Sequence, residues 1–337
     1  MFRRSTLTTS LIRRRTKHSA ITSVAKALAC AGWLVWQALP VAQATPVVYR
    51  EEMLCGSDPL RPDRHIALQE QVLTTSTGSI GYFRFGQGSP IVLITGYRAS
   101  MAEWNAYFLE ALAKHHEVII FDNRGIGLSQ TRAAAYGIKD LANDTASLIR
   151  ALQLKDVTVL GWSMGGMIAQ QLAIDQPSLV SRLVLMSSMP PGKLALPVPA
   201  SVDRTLSGSG DEHFNRVMAV LFPVPVQQQA IRCFVGDMFT PQGYAGPSIS
   251  PAVTLAQSKL LQRWEQDDQA FRALSRVTMP VLVMTGMDDE VLTPRNSMLL
   301  SRSLPHAELV EVASGGHAMM YQYPYRLADR ISAFIGK

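Results

Sequence analysis

Cysteine is scarce in this chain of 337 residues: there are three, Cys30, Cys55 and Cys233. None sits in a C-x-x-C pair or beside a histidine, which argues against a metal held by sequence-local ligands. Long hydrophobic runs are missing too. The apolar stretch Ala27–Leu39 has 13 residues, short of the roughly 20 that span a membrane. Charged residues make up only 17% against a hydrophobic share of 47%, which excludes a disordered chain, and the length allows one sizeable domain with an insertion or two small domains. Acidic residues are absent from the first 44 positions, which hold seven of the 32 lysines and arginines. The remaining 25 basic and 26 acidic residues leave a net charge near −1. The formal +6 therefore belongs to the N-terminus, and the rest of the chain carries no basic surplus for nucleic acid.

That N-terminus reads as an export signal over residues 1–44. A basic stretch precedes Ala27–Leu39, and Ala42-Gln43-Ala44 follows as a small-x-small cleavage pattern. The expectation is a periplasmic or extracellular protein with no membrane span after cleavage. The alternative is an uncleaved N-terminal anchor. Cleavage leaves Cys55 and Cys233, which in an oxidising compartment form one disulfide or remain two thiols.

Residues 45–64 are irregular and Pro-containing. After them, short apolar runs alternate with helix-like stretches. Ile91–Thr95, Val118–Phe121, Val157–Leu160, Leu183–Met186 and Val281–Met284 are continuous apolar runs, the pattern of strands buried on both faces. Ser79–Phe85 alternates, and Ala307–Val312 closes the series. Helical spacing marks Ala102–Ala113, Leu141–Leu152, Met167–Ala173 and Tyr325–Ile335. Strands alternating with helices predict an α/β fold with a mostly parallel central sheet flanked by helices. Residues 189–276 break the rhythm, with prolines, a Gln-rich patch and a helical stretch Leu255–Leu274 but no buried strand. They read as a helical lid inserted between two parts of one core, 65–188 and 277–337.

Gly161-Trp162-Ser163-Met164-Gly165 follows a predicted strand and precedes a predicted helix. A serine on such a turn is exposed at the carboxyl edge of the sheet, with the positive end of a helix behind it. Its hydroxyl needs a base. His18 lies in the leader, His65 in the irregular segment, His115 and His116 in a loop before a strand, His213 in the insertion and His306 before the last strand. His317 stands apart, in Ser314-Gly315-Gly316-His317 after that strand, at the edge where ligands of open α/β sheets gather. A base of this kind is oriented by a carboxylate, and Asp288 and Asp289, after Val281–Thr285, are both candidates.

The order serine, aspartate, histidine, with Asp122-Asn123-Arg124-Gly125-Ile126-Gly127-Leu128-Ser129 and Gly161–Gln171, resembles the α/β-hydrolase fold family, in particular its small serine esterase, lactonase, peroxidase-like and aminopeptidase-like branches. The resemblance covers about residues 79–188 and 277–337. It implies Asp289 as the acid, being the fourth residue of G-x-x-D, and an oxyanion hole from the amides of Met164 and Tyr97. Family members usually carry His-Gly where this chain has Thr95-Gly96-Tyr97, so Tyr97 is a departure. The implied activity is hydrolysis of a carboxylic ester or lactone with no metal or organic cofactor, acting on a small-molecule ester, lactone or amide. Three alternatives stand beside it: a proline-aminopeptidase-like peptidase, a cofactor-free perhydrolase or haloperoxidase-like activity, and a non-catalytic binding protein on the same scaffold. Glu265, Asp267 and Asp268 are candidates to grip a substrate amine for the first of these. Asp122 and Arg124 read as a charged pair tying loops together. Trp162 faces the pocket or fills core, Trp104 packs at a helix start, and Phe234, Phe239 and Trp264 line an acyl pocket or pack.

Overall fold

A computed structural model describes residues 45–55, 68–131, 135–244 and 246–337. The leader read over 1–44, and with it the membrane-anchor alternative, lies outside the described residues, as does His65.

The first strands are β1 (Gln71–Thr75), β2 (Gly78–Gly86) and β3 (Ser89–Ile94). Helix α1 (Ala106–Ala113), strand β4 (His116–Phe121) and helix α2 (Ile138–Ala151) follow. Strand β5 (Thr158–Trp162), helix α3 (Met164–Asp175) and strand β6 (Arg182–Met186) complete the first part of the sheet. Five helices come next: α4 (Ala200–Ser207), α5 (His213–Leu221), α6 (Gln227–Asp237), α7 (Pro251–Trp264) and α8 (Asp268–Ala273). The chain then returns through β7 (Val281–Gly286), α9 (Pro294–Ser303), β8 (Ala307–Val312), α10 (Met319–Gln322) and α11 (Pro324–Ile335). The strands form one eight-stranded sheet of order β1-β2-β4-β3-β5-β6-β7-β8. Along the order β4-β3-β5-β6-β7-β8 all pairings are parallel, and β2 alone is reversed, antiparallel to both its neighbours β1 and β4.

The burial explains the composition of these strands. Ile91–Ile94 and Leu183–Met186 are fully buried, because helices cover both faces of the parallel sheet. From β3 the chain steps outward through α1 to β4, and from β5 it steps the other way through α3 to β6. Right-handed crossovers in opposite directions put α1 and α3 on opposite faces. The carboxyl ends of β3 and β5 therefore part, and a crevice opens between them. Helix α3 is buried nearly all round, from Met164 to Ala173. Helix α11 buries one stripe, Leu327, Ala328, Ile331, Phe334 and Ile335, the spacing of an amphipathic surface helix.

Several local expectations change. The helical stretch 102–113 is a 3-10 turn, Met101–Glu103, and a separate helix that starts where the Asn105 side chain accepts from the Phe108 amide at 2.9 Å. The stretch 255–274 is two helices, broken where Asp267 caps α8 by accepting from the Ala270 amide. N-cap geometry requires a non-helical residue, so both caps interrupt the pattern. Strand β1 carries no buried alternation to announce it, and Val72 is exposed. His116 is no loop residue. It begins β4 and is buried, with Ser89 Oγ at 3.0 Å from Nδ1 and Ser332 Oγ at 3.0 Å from Nε2. Burial, with His115 beside it, holds its pKa below the usual histidine value.

The start of the described chain is not wholly exposed. Val47 bridges to Val312 at the edge of β8, Met53 is buried, and the Glu52 carboxylate accepts from the Tyr325 amide at the start of α11. Cys55 and Cys233 form a disulfide, which ties this segment to α6. Among the described residues no helix is long and apolar enough to cross a membrane.

Candidate active site

Ser163 sits between β5 and α3 with φ 57° and ψ −121°, a conformation that L-residues rarely adopt. Such a residue costs about 1–3 kcal/mol and persists only where its surroundings dictate it. Here its N–H donates to Met186 O, and its carbonyl accepts from Gly166 N and from Ser188 Oγ, each at 2.9 Å. The two flanking glycines are sterically required. A Cβ on Gly161 would overlap the Gly165 carbonyl, and one on Gly165 would overlap the Ile94 carbonyl of β3. The pentad is thus a packing solution that pins the serine against the neighbouring strand.

Asp289 follows β7 and His317 follows β8, so both arrive at the same edge of the sheet. Both are buried. Asp289 Oδ2 and Oδ1 lie 2.9 and 3.1 Å from His317 Nδ1. Oδ1 also accepts from the amides of Val291 and Leu292, both at 2.9 Å, which locks the carboxylate in place. An ionised carboxylate only accepts, so the imidazole proton resides on Nδ1 and Nε2 is left as the basic nitrogen. Asp288 is exposed and bonds through its backbone N–H to Gly315 O. Of the two aspartates that the sequence offered, it is Asp289 that reaches the histidine.

Trp162 has a definite place. Its indole N–H donates to the His317 carbonyl at 3.0 Å, and its ring lies 5.7 Å from the imidazole. It braces the histidine and also lines the cavity beside it. That cavity, of about 450 Å³, opens over Ser163 and His317. Gly96 and Tyr97 line it from the loop after β3, and Met164 begins α3 directly behind the serine. The first amides of a helix have no partner within it, so the Met164 N–H stands at the positive end of α3. The insertion supplies much of the remaining wall, including His213, Phe214, Met218, Leu221 and Phe234.

Of the aromatic candidates in the insertion, Phe234 reaches the cavity. Trp264 is core, its N–H near Met189 O at 3.4 Å, and Phe239 packs on Phe83 and Phe85. Trp104 is also core, stacked on Phe108 and beside Trp162. Glu265, Asp267 and Asp268 are not among the residues lining the cavity. Asp267 is spent on its helix cap, and Asp268 accepts from the Lys193 amide at 2.9 Å. The carboxylate that does line the cavity is Glu103, whose Oε2 accepts from the amide and hydroxyl of Ser100, both at 2.7 Å. Burial raises its pKa against those two bonds. The Ser100-x-x-Glu103 spacing is a capping box and was legible in the sequence; the position of His213 carried no signal. Burial, Arg98 and Arg216 hold His213 below the usual histidine value.

Asp122 and Arg124 do tie loops, though to different partners. Arg124 forks onto Asp144 of α2 at 2.6 and 2.7 Å. Asp122 accepts from the Met101 amide at 2.7 Å and approaches the Tyr244 hydroxyl at 3.4 Å. Burial pushes its carboxyl up to about 7, opposed by the Met101 bond and helped by Glu70 and Glu103.

Residues 89–324 match the model of a family described as the alpha/beta hydrolase fold, and the chain belongs to that family. A protein of Mycobacterium tuberculosis, provisionally named a non-heme bromoperoxidase, is 27% identical over 260 residues, covering 73% of this chain and 93% of its own. The pimeloyl-[acyl-carrier protein] methyl ester esterase of Aeromonas hydrophila is 26% identical over 272 residues, covering 77% of this chain and 100% of its own. Among solved structures, an alpha/beta hydrolase fold protein from Chitinophaga pinensis superposes with a TM-score of 0.69 at 21% identity, over 80% of this chain and 98% of that one. The fold is shared throughout, and the relatives include esterase-type hydrolases.

Proposed function

We propose that this chain hydrolyses small or medium carboxylic esters or lactones through an acyl-enzyme on Ser163. The observation that carries the reading is the buried Asp289–His317 pair beside a strained serine in one cavity. Ser163 Oγ attacks the acyl carbon while its proton passes to His317 Nε2. The tetrahedral oxyanion is held by the amides of Met164 and Tyr97. Collapse breaks the bond to the alkoxide, which takes the proton from His317. Water then attacks the acyl-enzyme, giving its proton to His317, and collapse breaks the bond to Ser163 Oγ, which takes that proton back as the acid departs. Asp289 keeps Nε2 basic and stabilises the imidazolium. No metal or organic cofactor enters these steps.

The insertion acts as a lid, and its Phe214, Met218, Leu221 and Phe234 suit an apolar acyl or alkyl group. Residues 1–44 act as a cleaved leader, and the Cys55–Cys233 disulfide is in keeping with an oxidising, extracytoplasmic location. A second reading, perhydrolysis on the same acyl-enzyme with hydrogen peroxide replacing water to give a peracid, is favoured by the bromoperoxidase-named relative.

A panel of aryl esters, lactones and amino-acid arylamides, assayed with and without peroxide, separates these readings. The expected result is ester or lactone turnover by the wild type that Ser163→Ala abolishes. Turnover confined to arylamides would favour a peptidase instead, and peracid formation outrunning hydrolysis would favour the second reading.

A further inference from the structure

The loop after β3 that carries the Tyr97 amide is attached to the insertion at three points. The Tyr97 hydroxyl lies 2.9 Å from Ser258 Oγ on α7. The Arg98 guanidinium donates to the carbonyls of Leu206 and Gly208 at the end of α4, at 2.5 and 3.0 Å. The Arg98 amide donates to Gln257 Oε1, also on α7, at 2.8 Å. Arg98 itself has φ 53°, a left-handed conformation unusual outside glycine, so the loop is held in shape by these contacts.

Gln257 is the informative member. It is fully buried. An amide N–H can only donate, so Gln257 must turn its oxygen to Arg98. Its Nε2 is left buried with no acceptor among the described residues. An unmet buried donor is a cost that a leucine or methionine packed at the same place would avoid. A buried group held at such a cost calls for a reason beyond packing.

We propose that Gln257 is a positioning residue for oxyanion stabilisation. Its bond to Arg98 N–H sets the Tyr97–Arg98 peptide plane, and through it the direction of the Tyr97 N–H one residue earlier. The Tyr97 hydroxyl and the Arg98 side chain hold the same loop to α7 and α4. The oxyanion site is then complete only while the insertion is docked, so the part of the chain that shapes the substrate cavity also sets the electrostatics of the reaction. This inference rests on the acyl-enzyme reading of Ser163.

The test compares Gln257→Met, which keeps volume and loses the acceptor, with Gln257→Glu, which keeps an acceptor oxygen. Both are assayed on the ester that the wild type turns over, and Ser163 phosphonylation is followed in parallel. Gln257→Met is expected to lower kcat by about 10- to 100-fold with KM within about threefold, since a displaced oxyanion donor acts on the transition state. Gln257→Glu should recover most of that loss. Unchanged kcat in Gln257→Met, a loss confined to KM, or equal losses in both variants overturns the proposal. Should neither variant fold, Tyr97→Phe carries the test: a fall in kcat at constant KM supports the coupling, and unchanged kcat overturns it. A wild type that is not phosphonylated overturns the Ser163 reading and this inference together. A phosphonylated, active wild type beside an unimpaired Gln257→Met overturns this inference alone.

Discussion

The two walls of the cavity are built differently. The wall at the sheet edge is made of groups locked by short-range constraints. Ser163 is pinned by three hydrogen bonds and two glycines, and Asp289 by two amides. The wall from the insertion includes short helices that bury little: Val202 alone in α4, and Met218 and Leu221 in α5. Among the described residues it leaves Leu194, Leu196, Phe214, Val224, Val235 and Leu255 exposed. It is held to the core by Phe239 and Trp264 and by side-chain hydrogen bonds such as Arg98 to Leu206, and the disulfide joins it to the N-terminal segment. The comparison teaches that the serine, histidine and aspartate stand where short-range bonds and sterics fix them, and that the helices facing them across the cavity are packed more loosely.

The largest expected effect lies on the rigid wall. Asp289→Asn should lower kcat/KM by about 10³- to 10⁴-fold: the Val291 and Leu292 amides keep the remaining oxygen, so the new NH2 faces His317 Nδ1 and donates to it, which moves the ring proton to Nε2. Asp288→Asn, on an exposed side chain, should stay within about threefold. If steady-state kinetics found the losses reversed, the rigid wall would have been assigned to the wrong carboxylate.

How much of this was legible follows the same division. The Gly161–Gly165 pentad could be read because its residue types are dictated by sterics within five positions and one neighbouring strand. His317 could be read from its place after a strand. The choice of Asp289 over Asp288 needed the family resemblance, because two adjacent carboxylates differ only in which way each turns. Groups whose partners are distant in sequence were not legible. His116 looked like a loop residue because Ser332, which helps bury it, lies 216 positions away. Cys55 and Cys233 are separated by 178 positions. Short polar caps also escaped the periodic reading, as at Asn105 and Asp267.

The next effect concerns the looser wall. Replacing Cys55 and Cys233 with serine should destabilise the protein by about 2–5 kcal/mol, read as a lower denaturant midpoint. Hydrogen exchange should quicken most in α6, beyond the smaller quickening that the lower global stability gives the central strands. Equal quickening in α6 and β3 would erase the contrast between the two walls, and no change at all would remove the disulfide from among the insertion's anchors.

The smallest effect sharpens what burial costs on the core side. Asp122 has its folded pKa raised to about 7 from an ordinary value of 3.8. A raised pKa gives a stabilising contribution that is full below about pH 3.8 and lost as the pH rises through about 7. Asp122→Asn keeps an acceptor for the Met101 amide and removes the titration. Its stability relative to the wild type should therefore rise between pH 5 and pH 8, by about 2–3 kcal/mol. Parallel pH profiles for the two proteins would mean that Asp122 ionises freely in the folded state.

The central claim is that Ser163 is a nucleophile activated by His317. Its most direct test is mass spectrometry of the intact protein and its peptides after treatment with a serine-directed fluorophosphonate. The account predicts one phosphonyl adduct on the peptide containing Ser163 and none in Ser163→Ala. An unlabelled wild type, or equal labelling of both proteins, would contradict it.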